Sequence, residues 1–221
     1  MRKKTFITWS GFALILWALH LLARDFIWAF THGSTEDAMG RMFLGLDGKQ
    51  YALVWPAFFP LGLVGFTGVY VEVSARLGKI GKAGFLVALL GLAMWFLAQV
   101  MQYWILDIDK YWGSPVIYGG WLLQILAVFV LTAGLVLAGI DVQRANALPR
   151  GRSLILVLGL LTLPTFLLVA YLVGQSDGGL PSQLLYGGLS VPWDLGWLRL
   201  GYLSLAATPG IIRAGRLPAV P

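Results

Sequence analysis

Long apolar stretches separated by short polar segments dominate this sequence. Six stretches are long enough to cross a bilayer, because about 20 mostly apolar helical residues cover about 30 Å of hydrocarbon. The predicted spans are residues 6–23, 51–74, 83–106, 116–140, 153–174 and 193–211. The pattern therefore predicts an all-α integral membrane protein, in which residues 1–221 form a single domain, a bundle of six transmembrane helices.

Composition supports the same class of protein. The chain is 58% hydrophobic and only 12% charged, with a mean hydropathy of +0.79. Soluble domains usually have about a quarter of their residues charged. A soluble fold of this composition would leave large apolar areas in contact with water, so the bilayer is the predicted environment.

Basic residues are concentrated in alternate connecting segments. With the N-terminus inside, the inner segments contain eleven of the sixteen lysines and arginines: Arg2, Lys3, Lys4, Arg76, Lys79, Lys82, Arg144, Arg150, Arg152, Arg213 and Arg216. Positive residues gather on the cytoplasmic side of membrane proteins. The distribution predicts a bacterial inner-membrane protein with both termini in the cytoplasm. It also explains the basic character through attraction to lipid headgroups, so the expected partner is the bilayer and not nucleic acid.

Two outer segments, 24–50 and 175–192, are longer than the inner loops. The second contains Gly178, Gly179, Pro181, Gly187, Gly188 and Pro192. This density of glycine and proline opposes a regular helix, so an irregular segment on the outer surface is expected. Pro164, near the middle of the fifth span, predicts a kink.

Arg199 is the most conspicuous charge inside a predicted span. At about 1.5 Å per residue, its position five residues after Asp194 puts it roughly 7–8 Å inside the outer boundary. Such a charge costs a few kcal/mol unless it pairs or reaches the interface. Asp194 is an imperfect partner, because five positions place it about 140° round the helix, whereas Asp107, Asp109 and Gln102 on the third span lie at a similar depth. Arg199 is therefore either part of a site for an anionic substrate or a proton path, or a structural residue that forms an ion pair or extends its charged group to the interface.

A polar stripe follows the third span. Gln99, Gln102 and Tyr103 are three and four residues apart, so they share one face of a helix, and Gln124 on the fourth span could face them. The stripe indicates either hydrogen bonding between helices or the wall of a polar cavity.

Motifs for metals, cofactors and catalysis are weak or absent in the sequence. His32, Glu36 and Asp37 are the weak candidates for metal ligands, and no metal or other cofactor is predicted. The chain has no cysteine, no H-E-x-x-H, no P-loop and no lysine in a predicted span. These absences disfavour thiolate chemistry, hydrolytic metal sites and a retinal Schiff base, so an enzyme is not the preferred interpretation.

Small residues recur at helical spacing, as at interfaces where helix backbones approach closely. Gly62, Gly65 and Gly68 follow one another at steps of three, and Gly84 with Ala88 and Gly134 with Ala138 are spaced by four.

These faces favour a non-enzymatic structural or accessory protein that acts through helix–helix contacts. The predicted contact is with another membrane protein or a second copy of the chain. The alternative hypothesis is a small-molecule or ion carrier with a polar site around Arg199, Gln102 and Asp107.

Overall fold

The computed structural model describes residues 3–30, 45, 48–105, 114–174 and 180–206, and these ranges contain helices but no strand. The α-helices are α1 (Lys3–Phe30), α2 (Gly48–Val54), α3 (Phe59–Val73), α4 (Lys79–Val100), α5 (Pro115–Arg144), α6 (Leu154–Gly174) and α7 (Leu180–Ala206). Short 3-10 segments are Trp55–Phe58, Ser74–Arg76 and Pro149–Gly151, and α4 ends in a π-helical turn, Met101–Ile105.

Five helical segments in the described ranges are long and apolar enough to cross a membrane: Lys3–Asp25, Trp55–Arg76, Lys79–Ile105, Pro115–Arg144 and Pro149–Leu168. They indicate a multi-pass membrane protein. α7, which contains the described part of the predicted sixth span, is not among these five. The sixth crossing and the orientation of the termini therefore stay predictions.

Two predicted boundaries are wrong. The segment 175–192 is not irregular throughout, because α7 begins at Leu180 and continues through Pro192. The outer segment 24–50 also begins later than expected, since α1 continues to Phe30. The hydrogen bonds of a continuous helix satisfy the backbone along these segments, which outweighs the low helix propensity of glycine and proline. Pro164 lies inside a continuous α6, and the predicted kink there stays a prediction.

The helices form a closed ring in which each long helix contacts its two neighbours. In order, α1 contacts α3, α3 contacts α4, α4 contacts α5, α5 contacts α6, α6 contacts α7, and α7 returns to α1. The contacts between α3 and α4 and between α6 and α7 are less extensive than the other four. The ring therefore divides into two groups, α1–α3–α7 and α4–α5–α6, that meet along two thinner seams.

The two ends of the bundle differ in chemistry. At one end, here called the tryptophan end, Trp95 and Trp193 approach each other, with ring centroids 6.1 Å apart, and the indole of Trp104 donates to the carbonyl of Leu53 at 2.6 Å. At the other, here called the basic end, Arg76 donates to the carbonyl of Ala147 at 3.3 Å.

Close backbone contacts hold each group together. A Cβ added at Gly134 of α5 would meet the backbone nitrogen of Ala88, and one added at Gly84 of α4 would meet that of Ala138. On the other side, Gly65 faces Leu14 and Gly68 faces Ser10 of α1. The small-residue faces predicted from the sequence are therefore used between helices of the same chain.

Large aromatic side chains fill the centre of the ring. Trp17 and Trp197 are almost completely buried and meet edge to face with ring centroids 5.2 Å apart. Phe66 packs against Trp197 at 5.5 Å and against Phe85 at 5.0 Å. Edge-to-face pairs of this kind stabilise by about 0.5–1.5 kcal/mol beyond the area they bury.

We predict that Gly134→Val disrupts the α4–α5 contact. The new side chain has no space beside the Ala88 backbone, and overpacking of a well-packed interior costs about 1–3 kcal/mol or more. Ala133→Val is the matched control because Ala133 is exposed on the same helix. Thermal unfolding in detergent should show a clearly lower unfolding temperature for Gly134→Val only. Equal unfolding temperatures for the two variants would contradict the predicted disruption of this contact.

Candidate functional site

The last turns of α1 position a charged pair at the tryptophan end. Arg24 is half-buried, and its guanidinium carbon lies 4.2 Å from the centroid of the Trp55 ring. Asp25 is buried, with 6% of its surface exposed. Cation–π contact with an indole stabilises a guanidinium by about 0.5–2 kcal/mol, so Trp55 helps to hold Arg24 in place.

Asp194 on α7 faces this pair. It is completely buried, and neither carboxylate oxygen receives a hydrogen bond from an N–H or O–H donor in the described part of the chain. Its carboxyl lies against that of Asp25 and within electrostatic reach of Arg24. Two ionised carboxylates can only accept hydrogen bonds, so the contact becomes a hydrogen bond when one of them carries a proton.

The glutamines of the predicted stripe form one hydrogen-bonded network. The Trp55 indole donates to Gln99 Oε1 at 2.7 Å. The amide nitrogens of Gln99 and Gln102 both donate to Gln124 Oε1, at 3.1 and 3.0 Å. Gln124 thus faces the stripe across the α4–α5 interface, and the network links this interface to Trp55, the residue under Arg24.

A cavity of about 110 Å³ lies between five helices at this end. Its lining residues are Leu21, Arg24, Asp25, Trp95, Gln124, Val128, Thr162, Thr165, Phe166, Ser190 and Trp193. Thr165 is 7% exposed, and its hydroxyl has no hydrogen-bond partner among the described residues. The Thr162 hydroxyl is occupied, since it accepts from the Trp193 indole at 2.9 Å and donates to Leu158. The cavity therefore offers a carboxyl, a guanidinium, an amide and a free hydroxyl to a small polar molecule.

Arg199 lies away from this cluster. Its side chain is exposed on α7, while Asp194, the partner considered for it, points towards α1. Arg199 and Asp194 lie on different faces of α7, as their spacing of five residues predicts. An arginine on the outside of an apolar helix can extend its charged group towards the interface.

The other predicted site residues are placed as follows. Tyr103 is half-buried and packs against the aromatic core. Asp107, Asp109, His32, Glu36 and Asp37 lie outside the described residues. Within the described ranges, no group of three or more histidine, aspartate and glutamate side chains is placed to hold a metal ion.

His20 belongs to the packing beside the cavity. Its ring stacks on Phe58, with centroids 3.7 Å apart and planes 7° apart. Its Nε2 is 2.9 Å from the Tyr51 hydroxyl. The imidazole is thus fixed one turn of α1 before Arg24.

The basic end carries a separate set of polar contacts. Ser204 donates to Glu72 at 3.0 Å, and the backbone nitrogen of Gly78 donates to Asp141 at 2.8 Å. A groove of about 420 Å³ is lined there by Glu72, Arg76, Arg150 and apolar residues. The first contact joins α7 to α3, and the second joins the start of α4 to α5.

The sequence pattern missed Arg24, Asp25, Thr165 and Ser190. Arg24 and Asp25 fall in the predicted outer segment 24–50, although the apolar residues Phe26, Ile27 and Trp28 follow them. This continuation was the signal that α1 extends further. Thr165 and Ser190 sit singly in apolar surroundings, and nothing in their spacing indicates a cavity.

Comparison with protein-family models, curated proteins and solved structures finds no significant match to this chain.

We predict that Gln124→Leu destabilises the protein by about 1–3 kcal/mol, because the amide groups of Gln99 and Gln102 lose their buried acceptor. Gln143→Leu is the matched control, since Gln143 is exposed on the same helix. Unfolding in detergent measures the stability of both variants. A Gln124 variant as stable as the control would show that the network contributes nothing to the fold.

We also predict that Arg199→Leu keeps or raises the folded yield, because the arginine is exposed and no contact with another described residue is lost. Arg24→Leu should lower the yield, since it leaves Asp25 and Asp194 without their neighbouring cation. Size-exclusion profiles of the two variants, expressed side by side, measure the difference. The reverse order would assign the structural role to Arg199.

Proposed function

We propose that this protein is a small membrane carrier that binds a polar solute in the cavity at the tryptophan end. The observation that carries the proposal is the cavity itself, which places Arg24, Asp25, Gln124 and Thr165 around an interior space. Ionisable groups inside a membrane bundle are costly and mark ligand or ion pathways. A purely structural bundle has no need of them.

The position of the cavity suits movement of one helix group against the other. Its lining comes from α1 and α7 of one group and from α4, α5 and α6 of the other. Carriers expose a site to either side by rocking one bundle against another around it. The thinner seams between α3 and α4 and between α6 and α7 are where such movement would disturb the fewest contacts.

The accessory hypothesis draws less support than the sequence alone suggested. The glycine faces at Gly65, Gly68, Gly84 and Gly134 pack inside the chain, so they are not available to a partner helix. A stable complex with another membrane protein, or a second copy, would have to use the apolar outer surface.

We propose further that the basic end faces the cytoplasm of a bacterium and that α7 forms the sixth crossing. The support is the positive-inside rule, together with the clustering of Arg76, Arg144, Arg150 and Arg152 in connections at one end. In this orientation the cavity lies in the outer half of the bundle.

Filling the cavity tests the carrier hypothesis. We predict that Thr165→Phe abolishes stabilisation by small solutes, because the new ring occupies the space that they need. The probes are methylammonium, guanidinium, glycine and acetate, each added to purified protein during thermal unfolding. A ligand at about ten times its Kd stabilises by about 1.4 kcal/mol.

Leu167→Phe is the matched control, since it adds the same ring to an exposed position of α6. We expect at least one probe to stabilise the wild type and this control but not Thr165→Phe. If no probe acts, or if all three proteins respond equally, the carrier hypothesis fails. A discrete higher mass in mild detergent would then favour the accessory hypothesis.

A further inference from the structure

The groove at the basic end lies between the two helix groups. Glu72 and Arg76, at the end of α3 and just after it, line the groove together with Leu203 of α7. Leu148 and Arg150, in the connection between α5 and α6, line it from the other group. Its volume of about 420 Å³ is in the range of about 300–1,000 Å³ that is typical of small-molecule sites. The groove is therefore large enough to hold a molecule that contacts both groups.

A hydrogen-bonded loop forms one wall of the groove. α5 ends in a Schellman motif, in which the backbone nitrogen of Ala147 donates to the carbonyl of Val142 at 3.0 Å. Asn146 takes the left-handed conformation that this motif requires, with a φ of 46°. The 3-10 segment Pro149–Gly151 follows and contains Arg150. The backbone position of Arg150 is thus set by hydrogen bonds within the loop.

Two arginines make the groove a site for an anion. Arg76 is exposed, and its Nη1 donates to the carbonyl of Ala147 at 3.3 Å, which holds the guanidinium at the groove wall. This bond uses one of the five N–H donors of the guanidinium group. Arg150 is also exposed and lines the same groove. Because guanidinium groups bind phosphate oxygens through parallel pairs of hydrogen bonds, a phosphate group is the anion that these residues fit best.

The charges around the groove favour a ligand that is anionic overall. Glu72 is the acidic residue of the described lining, and it accepts a hydrogen bond from Ser204 at 3.0 Å. Two further arginines are exposed nearby in the chain, Arg144 at the end of α5 and Arg152 in the connection to α6. This local excess of positive charge attracts an anion more strongly than a zwitterion, in which an ammonium group balances the phosphate.

The rest of the lining favours an amphiphile over a free anion. Ala147, Leu148 and Leu203 are apolar, and the two leucines are only 5% and 8% exposed. A free phosphate ion gains nothing from an apolar wall. The glycerol and acyl carbons of a lipid, in contrast, remove apolar surface from water when they lie against it.

The groove also lies at the depth of lipid headgroups. The candidate membrane-spanning segments Trp55–Arg76 and Pro115–Arg144 end beside it, and Pro149–Leu168 begins there. The ends of spanning segments meet the boundary between hydrocarbon and headgroups. A phospholipid can therefore enter the groove from the bilayer with its phosphate at the level of the arginines.

We propose that this groove binds one anionic phospholipid, whose phosphate group is held by Arg76 and Arg150 and whose glycerol and first acyl carbons contact Leu148 and Leu203. Basic pockets between membrane helices are typical sites for anionic headgroups. The bound lipid contacts α3 and α7 on one side and the α5–α6 connection on the other, so it links the two helix groups at the end opposite to the cavity. This site does not depend on the proposed carrier function.

Lipid retention by the full chain tests the proposal. Purified protein in mild detergent is mixed with phosphatidylglycerol or with phosphatidylethanolamine of the same acyl chains. Native mass spectrometry measures the fraction of protein that carries one lipid. We expect phosphatidylglycerol to be retained at a lower lipid concentration, because both lipids have a phosphate but only this one has a net negative charge. Equal retention of the two lipids overturns the anionic class.

Substitution of one arginine tests the groove itself. Arg150→Gln should weaken retention of phosphatidylglycerol about fivefold, the contribution of about one cation near a membrane surface. Arg150 is exposed, so this variant should fold, and its unfolding temperature without added lipid checks this. Arg152→Gln is the matched control, since it removes an exposed arginine of the same connection that is not among the residues lining the groove. If Arg150→Gln retains the lipid like the wild type, or if both variants weaken retention equally, the site is overturned.

Inorganic phosphate separates a lipid site from a site for a free anion. Phosphate or phosphatidylglycerol is added in excess to the wild type and to Arg150→Gln during thermal unfolding. We expect the lipid to raise the unfolding temperature of the wild type more than that of the variant, and phosphate to affect the two proteins equally. If phosphate stabilises the wild type selectively, as the lipid is expected to do, the groove holds a free anion and the lipid assignment is overturned.

Discussion

The burial of Asp194 is the constraint around which the tryptophan end is arranged. A carboxyl group with no exposed surface and no described donor is costly in an apolar bundle unless a charge or proton compensates it. Arg24 provides part of that compensation from the next helix, and it is itself held over the Trp55 ring. Trp55 in turn donates to Gln99, so a single buried acid is connected to the glutamine network of the opposite helix group.

Close packing between helix backbones offsets the free-energy cost of burying these polar groups. Where Gly65, Gly68, Gly84 and Gly134 allow backbones to touch, dispersion contacts replace the hydrophobic drive that a bilayer does not provide. The aromatic side chains of Trp17, Trp197 and Phe66 pack beside these contacts in the centre of the ring.

Features that depend on local sequence could be predicted, whereas contacts between residues far apart in the chain could not. Five spans follow from length and composition, and the spacing of Gln99 and Gln102 places them on one face. The contact of Asp25 with Asp194 joins the first and last described helices, and no periodicity reveals it. The depth of Arg199 within its predicted span follows from the sequence alone. The direction of its side chain depends on how α7 packs against α1. The irregularity expected for 175–192 is wrong from Leu180 onwards, because helix propensity is weak evidence beside the backbone hydrogen bonds of a continuous helix.

The burial of Arg24, Asp25 and Asp194 together costs free energy, and this cost supports a functional role for the cluster. Two apolar side chains at positions 25 and 194 would pack between α1 and α7 without desolvating any charge, and such replacements are often neutral or stabilising. The cluster therefore does not serve the stability of the ring. It lies where helices from both groups converge, beside the cavity that Thr165 also lines. A feature that weakens the fold, at the position where the two groups meet along their thinner seams, supports the proposed binding site over a purely architectural role.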